Sequence, residues 1–272
     1  MSGLAAMYLA HWNLQQAPFA AGVDPAAFYE GAPQVEALAR LRFLAVQRRQ
    51  FGVLLGVRGV GKSLLAAVFA EQCRAAGRTV LELNLAALSA NELLWNVAAQ
   101  LAIGPRPGQD AATAFRRVVD WAQSRPDDQP PVLLLADDAD QAGPDVLAQL
   151  ARLSRATHDP WLTTVLTATP ARASRLGEAL LESVDLRIDL EPWDEDDAAG
   201  YVQFALLEAG CERPVFHEEA LSVLHVLSGG NPRRINRLAD YALLGAAAEG
   251  LDQVDAGTVE AAHDALGWTA AA

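Results

Sequence analysis

The sequence predicts an α/β fold, a three-layer core of about five parallel strands followed by an all-helical region. Three observations point there. Short apolar runs alternate with helix-patterned stretches up to about residue 190, a glycine-rich turn stands at the first strand-to-helix junction, and the strand signal stops after "EPWDEDD" at 191–197.

The first 34 residues read as an irregular leading segment. "MYLAHWNLQQAPFAAGVDPAAFYEGAPQ" (7–34) mixes aromatics, Pro and Gly without a sustained period. A helix is expected over 34–49, then a buried strand in "QFGVLLG" (50–56). From Gly61 the pattern is helical through "KSLLAAVFAEQCRAAG", with Gly77 as the stop. "RTVLELN" (78–84) is a strand, and "SANE" (89–92) is a capping box that opens the next helix. A turn "GPRPG" (104–108) leads to a helix at about 109–125, then "PVLLLA" (131–136) forms a fully apolar strand. "PDVLAQLARLSRAT" is a helix, "WLTTVLTAT" a β-branched strand, "ARASRLGEALLE" a helix and "VDLRIDL" (184–190) the last strand. Strands separated by helices imply a parallel sheet covered on both faces. Beyond it, helices are expected near 195–211, 217–228, 232–248 and 255–266, broken at "GCERP", "SGGNP" and "EGLDQ". The organisation is therefore a leading segment (1–34), an α/β core (35–192) and a helical lid (193–272).

Composition narrows the function. Of 272 residues 51% are hydrophobic and 20% charged, as in a globular protein. No apolar run approaches the roughly 18 residues of a membrane span, and the start has no positive region before an apolar stretch that breaks at His11. The chain reads as soluble and cytoplasmic, with no direct membrane insertion. Cys73 and Cys211 lie far apart, which suggests neither a disulfide framework nor a zinc site, and the five histidines fall in no ligand spacing. A net charge of −13 repels a phosphate backbone, so nucleic acid is the less expected partner. One local basic stretch runs against this, "ARLRFLAVQRRQ" (39–50), with Arg40, Arg42, Arg48 and Arg49.

The chain's one lysine lies in "GVRGVGKS" (56–63); the other 20 basic residues are arginines. The segment fits G-x-x-x-x-G-K-[ST], after an apolar strand and at the mouth of a helix, which is where a phosphate-binding loop must lie. Glycines let the backbone wrap the phosphates, and the N–H groups of the helix start supply a positive field. Lys62 presents a compact ammonium on a flexible stem to the β- and γ-phosphates, where the rigid fork of arginine is too bulky. Gly56, Val57, Arg58, Gly59, Val60, Gly61, Lys62, Ser63 and Leu64 are the expected nucleotide-binding residues. The Ser63 hydroxyl would reach Mg²⁺. The strand "PVLLLADDAD" ends in acids, so Asp137 would orient the Mg²⁺ shell and Asp138 would orient or deprotonate the attacking water.

With the loop, these acids and several further stretches in order, the chain resembles AAA+ P-loop ATPases, and more narrowly the general secretion pathway protein A (ExeA-like) family. The resemblance runs through "MYLAHWNLQQAPF", "VEALARLRFLAV", the loop, "DDAD", "LEPWDEDDAAGYVQFAL" and "SGGNPRRINRLADYALLGA", from Met7 to about Ala247. It implies ATP and Mg²⁺ as ligands, ATP hydrolysis, and self-association or a protein partner in envelope assembly, including a membrane-bound one. It also implies that Arg233, in the Gly-x-Pro-Arg stretch, reaches the nucleotide phosphates. Three positions depart from the family pattern. Asp138 stands where Glu is usual, and Thr169, with Thr167 as the alternative, where a Gln or Asn sensor is usual, so the catalytic residues expected are Asp138, Lys62 and Thr169. Ser183 stands where an arginine finger is usual, leaving Arg187, Arg175 and Arg172 as substitutes. All three bear on hydrolysis and none on binding, so the expectation is a nucleotide-dependent switch with slow or partner-stimulated turnover. The alternatives are a nucleic-acid-associated ATPase of the transposition-regulator or origin-recognition type, and a small-molecule P-loop kinase.

Overall fold

The computed structural model describes residues 3–20, 22–104, 110–126, 128–157 and 160–267. Within them the chain runs α1 (Gly3–Trp12), α2 (Ala32–Val46), β1 (Phe51–Leu55), α3 (Lys62–Ala75), β2 (Val80–Asn84), α4 (Ala90–Gln100), α5 (Ala111–Gln123) and β3 (Val132–Asp137). It continues through α6 (Pro144–Ser154), β4 (Leu162–Ala168), α7 (Glu178–Leu181), β5 (Leu186–Asp189), α8 (Glu195–Glu208), α9 (Glu218–Ser228), α10 (Pro232–Glu249) and α11 (Ala256–Ala265).

The five strands form one parallel sheet in the order β2-β3-β4-β1-β5. The apolar runs explain the central positions: β1 and β4 are buried at every residue, and β3 at all but its last. Edge strands β2 and β5 alternate or are partly exposed, in keeping with their mixed sequences "VLELN" and "LRID". Register places Leu54 and Leu55 of β1 opposite Thr167 and Ala168 of β4, and Asn84 of β2 opposite Asp137 of β3. The polar ends of three neighbouring strands are thereby gathered at one edge of the sheet, where ligands of open α/β sheets bind. The capping box before α4 is present, with Ser89 accepting from the Glu92 N–H and Glu92 accepting from the Ser89 N–H.

Two expectations about elements are corrected. Residues 3–12 of the leading segment form a helix, and Pro25–Ala27 a single 3-10 turn. "ARASRLGEALLE" is not one helix. It splits into a 3-10 stretch, Pro170–Leu176, and the short α7, because Gly177 sits at φ 81 and interrupts the α-helical path. Residues 105–108 of the expected turn before α5, and residue 109, lie outside the described residues.

The chain divides into two compact units. One comprises Glu36–Arg58 and Lys62–Leu190, with a core drawn from the sheet and α4–α6, including Phe51, Leu81, Leu93, Val118, Leu134, Leu150, Trp161 and Leu166. The other comprises Met1–Val35, Gly59–Gly61 and Glu191–Ala272. Its core joins the leading segment to the C-terminal helices: Tyr8, Trp12, Leu14 and Phe19 pack with Trp193, Val202, Leu224, Ile235 and Leu243. Trp12 is fully buried, and its Nε1 donates to the Leu243 carbonyl at 2.9 Å. The backbone N–H of Gln15 donates to the Ala209 carbonyl at 2.8 Å. Cys73 and Cys211 are both buried and unbridged. Among the described residues no helix is long and apolar enough to cross a membrane.

Candidate nucleotide-binding site

The loop starts where β1 ends. Gly56 is buried and its N–H donates to the Ala168 carbonyl at 3.2 Å, which ties the loop to the end of β4. Gly59 and Gly61 adopt φ of 86 and 104, a region closed to most side chains, so the motif's glycines are required by backbone shape. Lys62 opens α3, and its Nζ donates to the carbonyls of Gly56 at 2.7 Å and Val57 at 3.2 Å. Val60 is fully buried and anchors the loop, Val57 and Arg58 are exposed, and Leu64 is half-buried at the start of α3.

Ser63 and Asp137 are 74 residues apart, yet the Ser63 Oγ donates to Asp137 Oδ2 at 2.7 Å. The other carboxylate oxygen of Asp137 accepts from the Thr167 hydroxyl. Asp138 follows in a left-handed conformation, φ 54 and ψ 38, which Asp tolerates better than most residues. Two bonds hold it there: its N–H donates to Thr167 Oγ1 at 3.0 Å, and its Oδ2 accepts from Asn84 Nδ2 at 3.0 Å. The structure thus brings Ser63, Asp137 and Asp138 together, and Thr167 is the threonine that touches the acids. Thr169 does not. Its N–H and hydroxyl both go to Asp140 Oδ2, at 3.1 and 2.6 Å.

A hydroxyl beside a carboxylate is an all-oxygen donor set, which suits a hard divalent cation such as Mg²⁺ that completes its shell with phosphate oxygens and water. Among the described residues no group of three or more His, Cys, Asp or Glu is placed to hold a metal by itself. The residues therefore fit a cation shared with a bound phosphate.

Arg233 is the second residue of α10, whose N-cap Asn231 accepts from the Arg234 N–H at 3.4 Å. The Arg233 N–H, an orphan donor of that helix start, is taken by the Gly59 carbonyl at 3.2 Å, and a Cβ on Gly59 would lie 2.7 Å from Asn231 Oδ1. "GGNP" is held just as tightly. Gly230, at φ 66, passes so close to Trp193 that a Cβ would lie 2.0 Å from its carbonyl oxygen, and the Trp193 N–H donates to Gly230 O at 2.9 Å.

Of the finger candidates, Arg187 chelates Asp189 in a bidentate pair, which raises its pKa, while Arg172 and Arg175 are exposed on the 3-10 stretch. Ser183 donates to the Ala179 carbonyl at 2.8 Å and accepts from Arg155. Sequence reasoning missed Asn84, Asp140 and Arg155. Asn84 carried a signal, as the polar residue closing a strand next to the acid-ended one. Asp140 carried one as the last acid of "DDAD", and Arg155 carried none without the fold.

The AAA domain family matches residues 45–176. General secretion pathway protein A of Aeromonas hydrophila is 30% identical over 268 residues, covering 96% of this chain and 49% of that protein, so the chain spans about half the length of this relative. Among solved structures, the Aeropyrum pernix ORC1 protein in complex with DNA superposes with a TM-score of 0.66 at 16% identity, over 88% of this chain and 66% of that one. Cdc6p from Pyrobaculum aerophilum gives 0.64 at 17% identity over 85% and 68%. The Thermotoga maritima RuvB branch migration motor gives 0.60 at 16% identity over 86% and 68%. The loop, the acid-ended strand, the 2-3-4-1-5 sheet and the helical C-terminal region, together with these matches, give residues 45–176 as an AAA domain within an AAA+ P-loop fold, in a chain similar over nearly all its length to general secretion pathway protein A.

Proposed function

We propose that the protein binds ATP with Mg²⁺ and works as a nucleotide-dependent switch whose hydrolysis is slow or partner-stimulated. The observation that carries this reading is the 2.7 Å bond from Ser63 to Asp137, which brings the end of the phosphate loop onto the acid that closes β3. In this reading the N–H groups of Gly56–Leu64 cradle the phosphates and Lys62 turns from the loop carbonyls to the β- and γ-phosphates. Ser63 and Asp137 hold the cation, which neutralises charge on the transferred phosphoryl group. Asp138 accepts from the attacking water through the oxygen that Asn84 leaves open.

Two features support slow turnover. Asp138 is one methylene shorter than Glu, which holds a water less well placed. Ser183 stands at the expected finger position with Arg155 upon it. A missing finger costs roughly 10³ to 10⁵ in rate, and Arg155 is the candidate to supply that charge in a self-assembled or partner-bound state. A partner in envelope assembly is proposed from the similarity to general secretion pathway protein A.

The test is Mg²⁺-dependent ATP binding and phosphate release by the purified protein. Lys62→Ala abolishes binding, and Asp138→Glu raises the wild-type rate by roughly tenfold. Brisk wild-type turnover without a partner would overturn the slow-switch reading.

A nucleic-acid-associated ATPase is the second reading, favoured by the likeness to an ORC1 protein solved with DNA. Against it, three of the α2-region arginines are engaged within the chain. Arg40 pairs with Glu36, Arg42 donates to Gln72 and Arg49 lies 3.7 Å from Asp185. Salt-dependent binding to duplex DNA, lost in an Arg40→Glu/Arg42→Glu variant, would favour it instead.

A further inference from the structure

Asp140 is 3% exposed, in the 3-10 turn Ala139–Gln141 just beyond the acids of β3. A carboxyl group removed from water needs donors. Among the described residues they come from Thr169, the first after β4, through both its backbone N–H and its hydroxyl. Two residues earlier on the same strand, Thr167 bonds Asp137 and the backbone of Asp138. Two rungs therefore join the ends of neighbouring strands β3 and β4: Thr167 to Asp137–Asp138, and Thr169 to Asp140.

A threonine hydroxyl carries one proton. In Thr169 that proton is directed at Asp140, so toward a phosphate oxygen, itself an acceptor, Thr169 has nothing to donate. Its contribution has to pass through the group it holds. The turn it holds leads directly out of Asp138, whose left-handed backbone is a costly conformation kept only where the surroundings enforce it.

We propose that Asp140 is a positioning residue, locked by Thr169, that fixes the turn behind Asp138 and so aims the Asp138 carboxylate at the attacking water. Thr169 belongs to this brace and makes no contact with the nucleotide. The proposal rests on the ATPase reading given above.

The experiment measures steady-state phosphate release from radiolabelled Mg·ATP, with ATP affinity and circular dichroism alongside, for Asp140→Ala, Asp140→Asn, Thr169→Val, Thr169→Ser and the double variant Asp140→Ala/Thr169→Val. Asp140→Ala and Thr169→Val should each lower kcat roughly tenfold to a hundredfold, the scale of a small misplacement of a reacting group, with KM and ATP affinity within about twofold of wild type. The double variant should be no slower than Asp140→Ala, which already removes the hydroxyl bond that Thr169→Val deletes together with the backbone N–H bond that Thr169→Val keeps. Thr169→Ser, which keeps the hydroxyl, and Asp140→Asn, which keeps an oxygen acceptor, should recover most of the rate. Unchanged kcat, a loss of affinity in place of kcat, or additive losses in the double variant would each overturn the brace. Should Asp140→Ala not fold, Thr169→Val against Thr169→Ser probes the same bond from its other end. A wild-type protein with no Lys62-dependent turnover refutes the ATPase reading itself, whereas an active wild type with indifferent variants refutes only the brace.

Discussion

Tyr8 and Asp240 show how a single pair sets a pH response. The Tyr8 hydroxyl donates to Asp240 Oδ1 at 3.1 Å in a half-buried setting. Burial raises the Asp240 pKa, the Tyr8 bond only partly opposing it, and burial with the nearby carboxylate pushes the Tyr8 phenol up. A carboxyl group whose folded pKa lies above its ordinary value, about 3.9, contributes stability that is present in acid and lost as pH rises through the folded pKa. Asp240→Asn should therefore melt above wild type at neutral pH, and the difference should close as pH falls to about 4; a difference independent of pH in thermal melts would contradict this. At the candidate nucleotide site, sequence alone singled out Gly56–Ser63, Asp137 and Asp138, since phosphate chemistry limits the residue types that can stand there. It favoured Thr169 over Thr167 as the sensor, whereas Thr167 is the one that touches these acids. Both are hydroxyls near one strand end, and only the pairing of β4 with β3 shows that Thr167 meets Asp137 while Thr169 meets Asp140.

Among elements, α10 and the turn before it are the most tightly constrained. Gly230 is required both by its φ of 66 and by the Trp193 carbonyl against it. Gly230→Ala should destabilise the protein by about 3 kcal/mol, as left-handed strain adds to overpacking. Chemical denaturation would read this as a lower midpoint at unchanged slope. Strands β1, β3 and β4 were legible because full burial leaves them uniformly apolar. Helix α1 was not, for the opposite reason. "GLAAMYLAHW" is apolar nearly all round and offers no polar face, so it has no period to detect until its packing partners are known. The false helix at 171–182 failed on one backbone angle at Gly177, which composition does not reveal.

For the whole molecule, each of the two units buries an apolar cluster of its own among the described residues, so unfolding is expected in more than one step. Calorimetry should resolve two transitions, one for the sheet-containing unit and one for the unit that holds the C-terminal helices. Trp12→Ala, which empties a fully buried site, should lower the other by the equivalent of about 3–5 kcal/mol and leave the sheet transition in place. A single transition that moves as a whole in Trp12→Ala would show that the cores melt together. The alternation of strands and helices foretold an α/β core followed by helices. That residues 7–19 complete the helical core instead of leading into the sheet depended on contacts across more than 200 residues, such as Trp12 to Leu243. The Lys62 ammonium rests on the Gly56 and Val57 carbonyls and is the chain's lone side-chain amine. Any acylating reagent or acetyl-transfer event directed at lysine side chains has one address in this protein, so under the proposed ATP-binding reading the fraction of Lys62 left unmodified would gauge how many phosphate loops are occupied.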